Sequence, residues 1–342
     1  MKRIVIIPEI LAINLEEKVK CIPYLSLGEI LNKNIFNKNM KCKYNININI
    51  LKKLDEKSIG KYKEFSGYYK INKNNIFFEK EYSKIRFKLL IKNVDSNNIT
   101  MSINKPYFNL VRFKLDNLYP LGVHINDLLL CKFIRDDCIV IHGASFVNKS
   151  GKTYLLIAPP DTGKTYTMYK LLSEGYTFYG EDLSFYNSKE DQLYSMPFTS
   201  TWYHHFDNFK SVLNNFPIIN LFFQGNKKIV SELFGKKSVG IKSKLDGIII
   251  MEKGNSNSIK KIKFSEKKDI IRKIEIIQNN EFSYYKNPLL FSYDYFNKLN
   301  LKNIYLKEKK LISELIYKKS VYLITGETYR DFSKIILNKN IK

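Results

Sequence analysis

Arginine is nearly missing from a chain that is otherwise strongly basic: six arginines stand against fifty-one lysines, and the formal net charge is +24 over 342 residues. Arginine forks onto base edges and phosphates, whereas lysine offers a point charge on a flexible stem. Sequence-specific reading of nucleic acid is therefore not expected, although a field of this size favours polyanions and acidic partners. Lysine, asparagine and isoleucine are enriched together along the whole chain, so most lysines read as solvated surface. Cysteine is scarce too. Cys21, Cys42, Cys131 and Cys138 form no CxxC pair and no metal-ligand spacing with the four histidines, which leaves them as reduced thiols. No apolar run reaches the roughly 18–20 residues that cross a bilayer. The apolar stretch after Met1-Lys-Arg is shorter than that of a signal peptide, so it reads as a first strand, and the protein as cytoplasmic without a membrane partner.

What is present is enough for real cores. Hydrophobic residues make up 44% of the chain and aromatics 14%, and the length suggests two domains. One octet carries a direct chemical meaning: Ala158-Pro-Pro-Asp-Thr-Gly-Lys-Thr165 is a Walker A phosphate-binding loop with alanine in place of its first glycine. In such a loop, backbone N–H groups wrap an anion at a helix N-terminus. The lysine reaches the outer phosphates, and the following hydroxyl can bind Mg²⁺. Asp161, Thr162, Gly163, Lys164, Thr165 and Tyr166 are the candidate nucleotide-binding residues. Leu155-Leu156-Ile157 reads as the strand before the loop. Tyr166 to Leu172 reads as the helix after it, with Met168, Leu171 and Leu172 on one face. Pro159 and Pro160 contribute no N–H donors, so this cradle holds phosphate less generously than a glycine-rich one.

Along the chain, residues 1–115 read as a β-rich N-terminal domain of unknown role, with short strands at 75–79, 84–91 and 98–103 separated by Asn/Asp turns. Residues 116–342 read as the domain that carries the loop. A helix is expected at 124–135 and a strand at 138–147. The turn Asn148-Lys-Ser-Gly151 then leads to a return strand, so an antiparallel hairpin enters the phosphate loop. Such an entry differs from the parallel βαβ setting of Ras-like or RecA-like hydrolases. Farther on, 177–186 reads as a strand interrupted by acids, 193–198 as its return and 245–251 as a buried strand. Residues 203–244 mix short helices and lysine-rich loops. Helices are expected at 267–278, 307–317 and 330–337, with a strand at 321–325. His204 and His205 follow Trp202 without a partner motif and read as packing or surface.

His142-Gly143 ahead of the hairpin, the loop at 158–165, Gly175 after the helix and the acidic pair Glu181-Asp182, placed 17 and 18 residues past Lys164, together resemble the HPr kinase/phosphorylase group of the phosphoenolpyruvate-carboxykinase-like P-loop proteins. The resemblance covers about 142–200, is faint at 245–254 and is absent before 120. It implies a mixed α/β (α+β) fold: a carboxykinase-like P-loop domain with a mixed, partly antiparallel sheet, besides the β-rich N-terminal domain. It also implies ATP and Mg²⁺ as cofactors and Asp182 as the carboxylate that orients or deprotonates the acceptor. Thr165 and Glu181 would hold the metal, and His142 would tune the catalytic carboxylate or touch a phosphate. The chain departs from the family in two further ways. Its first acid is glutamate where aspartate is usual, and no arginine falls between Arg135 and Arg272 to match the family's arginine-bearing loop. Lys227, Lys228, Lys236 or Lys237 can supply charge there but not a bidentate fork.

Three functions remain open on these residues. The first is an ATP-dependent phosphotransferase acting on a Ser/Thr hydroxyl of a protein or peptide, for which an acidic acceptor suits the basic surface. The second is a catalytically impaired nucleotide-binding module. The third is a basic nucleic-acid-associated protein in which the octet is coincidental. The acceptor, the choice of ATP or GTP, and whether the chain forms a homo-oligomer stay open.

Overall fold

A computed structural model describes residues 1–27, 35–115, 117–198 and 230–338. The chain divides into two compact units: residues 1–139 with 279–311, and residues 140–278 with 312–342. Both are mixed α/β. The first unit holds an eight-stranded sheet of β1 (Lys2–Ile7), β2 (Leu11–Leu15), β3 (Tyr44–Leu51), β4 (Lys63–Phe65), β5 (Tyr69–Ile71), β6 (Asn75–Tyr82), β7 (Ile85–Lys92) and β8 (Asn98–Asn104), ordered β1-β2-β3-β8-β7-β6-β5-β4. Alternation of Asn and Ile in β3 shows how sequence sets a face: Ile46 and Ile48 are buried while Asn47 and Asn49 are not. Between β6 and β7 the chain reverses through Ser83 and Lys84, both at positive φ, which matches the right-handed twist of the two strands.

The expected break at 115/116 falls inside this unit. Helix Leu121–Arg135 is buried along nearly its whole length and packs against helix Pro288–Asn297. Its Phe133 meets Tyr44 of β3 edge to face at 5.4 Å. Asn287, itself 1% exposed, caps helix Pro288–Asn297 through Leu289 N–H and donates to Asp127 of the earlier helix at 2.7 Å. The core under the first sheet is thus completed by residues far along the sequence.

The second unit is built on three parallel strands: β11 (Thr153–Ile157), β15 (Lys242–Lys253) and β17 (Ser320–Gly326), paired β11-β15-β17. β10 (Ala144–Val147) joins β11 antiparallel, so the expected hairpin into the phosphate loop is present. β12 (Thr177–Gly180) pairs with β10. β13 (Leu183–Asn187) and β14 (Gln192–Tyr194) extend from the start of β15, β9 (Cys138–His142) pairs with β13, and β16 (Ser258–Lys261) flanks β17. The run 138–147 is two strands rather than one. The break is at Gly143, where a Cβ would meet the Leu156 carbonyl oxygen at 2.7 Å, so the backbone passes too close to β11 for any side chain. Trp202, His204, His205, Lys227 and Lys228 lie outside the described residues.

β9 and β10 leave each other at this glycine, and the β12–β13 corner takes hold of it. Gly143 N–H donates to the Asp182 carbonyl at 2.9 Å, and Ser184 Oγ donates to the Gly143 carbonyl at 2.8 Å. On β9 itself, Gln278 from helix Lys267–Glu281 acts as a substitute strand. Its Oε1 accepts from His142 N–H at 2.7 Å, and its Nε2 donates to the Val140 carbonyl at 2.9 Å. Gln278→Leu strands both buried backbone groups and is expected to lower stability by about 2 kcal/mol. Urea unfolding should show a lower midpoint with an unchanged slope. An unmoved midpoint would mean that β9 does not depend on this amide.

Candidate active site

β11 runs buried to Ile157, and the chain then turns through 158–163 into helix Lys164–Ser173. Thr162 Oγ1 donates back to the Pro159 carbonyl at 2.8 Å and braces the loop. Gly163 is fixed by two constraints. Its φ is +112°, a region closed to ordinary side chains, and a Cβ there would meet Tyr329 Cβ at 2.6 Å. Its carbonyl accepts from Thr167 N–H at 3.0 Å, starting the helix.

Lys164 is buried at the head of that helix. Its Nζ donates to the Ala158 carbonyl at 3.0 Å and lies 2.7 Å from His142 Nε2. An ammonium only donates, so Nε2 is the acceptor and the ring proton sits on Nδ1. Nδ1 in turn is 3.9 Å from Asp182 Oδ1, too far for a direct hydrogen bond but close enough for electrostatic coupling. Thr165 Oγ1 donates to Glu181 Oε1, and Glu181 is 2% exposed. The corner that carries this acidic pair is tight: a Cβ on Gly180 would meet the Leu183 carbonyl at 2.3 Å.

Burial and Lys164 set the protonation states. Burial, helped by the nearby ammonium, lowers the His142 pKa to about 4, so the imidazole is neutral at pH 7. Burial raises the Asp182 carboxyl above the ordinary range, and the charge of Lys164 partly offsets that rise. Asp182 is nevertheless the more open partner, its side chain 37% exposed against 8% for His142.

These groups face a cavity of about 720 Å³ within the second unit. Of the residues expected from sequence, His142, Asp161, Gly163, Lys164, Thr165, Tyr166 and Asp182 line it. Thr162 and Glu181 do not; the first supports the loop and the second stands behind Thr165. The structure adds Tyr169 and Lys170 from the helix, Lys253 from the end of β15 and Tyr329 from the segment after β17. Lys236 and Lys237, the described lysines considered as substitutes for the family's arginine, are not among the lining residues. The Thr165 hydroxyl and the Glu181 carboxylate are adjacent hard oxygens, a donor set that suits Mg²⁺.

No protein-family model and no curated protein matches the chain. Among solved structures, the HPr(Ser) kinase/phosphatase from Coxiella burnetii is similar, with a TM-score of 0.29 and 10% identity over 59% of this chain and 96% of that one. The likeness is weak and at the level of the fold alone.

The His142 assignment can be checked directly. Its imidazole should titrate near pH 4 by NMR, and in Lys164→Met the midpoint should move upward because one of its two causes is gone. A folded-state pKa below the ordinary 6.5 means the unfolded chain binds the extra proton, so this group costs stability as pH falls from about 6.5 towards 4. His142→Gln should flatten that part of the stability profile. A midpoint near 6.5 would contradict the burial and the Lys164 contact.

Proposed function

We propose that the chain is an ATP-dependent phosphotransferase that moves the γ-phosphate to a Ser/Thr hydroxyl of a protein or peptide, on a carboxykinase-like P-loop fold. One observation carries this: a phosphate-loop lysine, a neutral histidine and a partly open carboxylate of raised basicity meet in a single cavity. Phosphoryl transfer asks the protein mainly for positioning and charge, and each residue has a part in that. The loop N–H groups and Lys164 bind the β- and γ-phosphates. Thr165 and Glu181 would hold Mg²⁺, which when bound neutralises charge on the transferring group. Asp182 receives the acceptor hydroxyl's proton at a carboxylate oxygen, and its raised pKa suits that task. His142 accepts from the ammonium and stands 3.9 Å from Asp182, between the two, without carrying charge itself.

A second reading, a nucleotide-binding module without turnover, is favoured by Pro159 and Pro160, which remove two N–H donors from the cradle. One comparison separates the two. With γ-labelled Mg·ATP and an acidic serine-containing peptide pool, Asp182→Asn should lower label transfer by about 100-fold or more while ATP affinity changes by less than about threefold. Equal transfer in both proteins would remove Asp182 from the chemistry. Tight ATP binding with no transfer or hydrolysis in either would favour the second reading.

A further inference from the structure

One wall of the cavity is aromatic, and neither the phosphate loop nor the acidic pair accounts for it. Tyr166 and Tyr329 meet there edge to face, with ring centroids 5.0 Å apart and planes at 88°. Tyr166, Tyr169 and Lys170 fall at spacings of three and four residues on the loop helix, so they share one face. They run away from Lys164 over about 3–9 Å of helix axis. They offer a surface to a nucleoside that extends along this face from phosphates held at the helix N-terminus. Tyr169 is the firm part of this wall, packed on Phe234 at 5.5 Å.

Tyr329 comes from a built turn rather than a loose loop. Thr328 N–H and Oγ1 both bond the Asp331 carboxylate, at 2.9 and 2.8 Å, capping the last described helix. Glu327 N–H donates to Asn257 Oδ1 at 3.2 Å. Arg330 Nε donates to the Tyr329 hydroxyl at 3.0 Å and holds that ring by its rim. Tyr329 as a whole is 42% exposed, so an aromatic residue stands open against the one glycine of the phosphate loop.

We propose that Tyr166 and Tyr329 form a nucleobase-stacking corner that recognises a purine by its faces rather than its edges, so that the site takes ATP and GTP alike. A planar base laid on one ring meets the edge of the other, and both arrangements are favourable for aromatic pairs. Stacking tolerates either purine because each has the same kind of π-face. Discrimination between adenine and guanine is commonly made by amides or carboxylates aimed at the base edge. No side-chain amide is among the described lining residues, and the two lining carboxylates, Asp161 and Asp182, belong to the phosphate loop and the acidic pair. Lys170, 5.9 Å from the Tyr166 ring centre, strengthens the same surface for an electron-rich base.

This inference rests on the nucleotide-binding reading above, and calorimetry on the full chain separates the two. The probes are Mg·ATP, Mg·GTP and Mg·tripolyphosphate, which keeps the phosphates and lacks the nucleoside. Wild type should bind ATP and GTP within about threefold of each other and tripolyphosphate about tenfold more weakly. Tyr329→Ala, which keeps the Cβ beside Gly163, should lose about tenfold for both nucleotides and change little for tripolyphosphate. Tyr329→Phe should restore nucleotide affinity. The corner is overturned if tripolyphosphate binds wild type as tightly as ATP, if it weakens in Tyr329→Ala as much as the nucleotides do, or if GTP is rejected by more than tenfold. In each of those results the wild type still binds the phosphates. Absence of binding by all three probes would instead overturn the nucleotide reading, and the corner with it.

Discussion

The site depends on a buried ammonium, that of Lys164, which is 8% exposed at the head of its helix. A charge in that position is costly unless hydrogen bonds and opposite charge answer it. Here the Ala158 carbonyl and His142 Nε2 accept from it, and Asp182 lies within its field. The other protonation states follow. His142 is driven neutral by burial and by this cation, and it must present a lone pair on Nε2, which puts its proton on the side of Asp182. The Asp182 carboxyl is raised by burial and restrained by the same cation. One lysine therefore couples the loop end of the cavity to its acidic end.

Backbone close approaches hold the partners of that lysine in place. Gly143 lets the chain pass against β11 so that β9 and β10 can join different neighbours, and Gly180 lets the acidic corner fold back on Leu183. The two glycines bring the His142 and Glu181–Asp182 segments together through the Gly143–Asp182 and Ser184–Gly143 hydrogen bonds. Gly163 does the same between the phosphate loop and Tyr329. The three positions are unlike in chemistry but share one physical reason: a side chain would occupy space that backbone or a neighbouring residue already fills.

What could be read from sequence was what is local. The loop at 158–165 is eight consecutive residues whose types follow a phosphate-loop pattern. The hairpin before it is marked by Asn148-Lys-Ser-Gly151, and the acidic pair by its distance from Lys164. The strands at 75–79, 84–91 and 98–103 and the helices at 124–135, 267–278 and 330–337 were legible within about three residues, whereas the helix at 307–317 starts at Leu301, and β3, despite its Asn/Ile alternation, was not legible. Gln278, Lys253 and Tyr329 were not, because each reaches the site through a parallel pairing or a helix whose partner lies about 70 residues or more away. Tyr329 did have a faint signal, the Thr328-x-x-Asp331 capping pattern just before a helix, but it marks a turn and not a cavity wall. The limits of the first unit were hidden for the same reason. Helix Pro288–Asn297 completes its core from far downstream, bonding Tyr293 to Asp95 at 2.6 Å and Asn297 to the Asn72 carbonyl at 2.9 Å.

Thermal stability reports whether the Lys164 site binds a nucleotide's phosphates together with a divalent cation. A ligand present at 100 times its dissociation constant adds about 2.7 kcal/mol to the folded state. The melting temperature of the wild type should therefore rise with Mg·ATP, rise less with ATP in EDTA, and stay unchanged for Lys164→Met under either condition. An equal rise in wild type and Lys164→Met, or no rise in the wild type up to millimolar Mg·ATP, would contradict that binding.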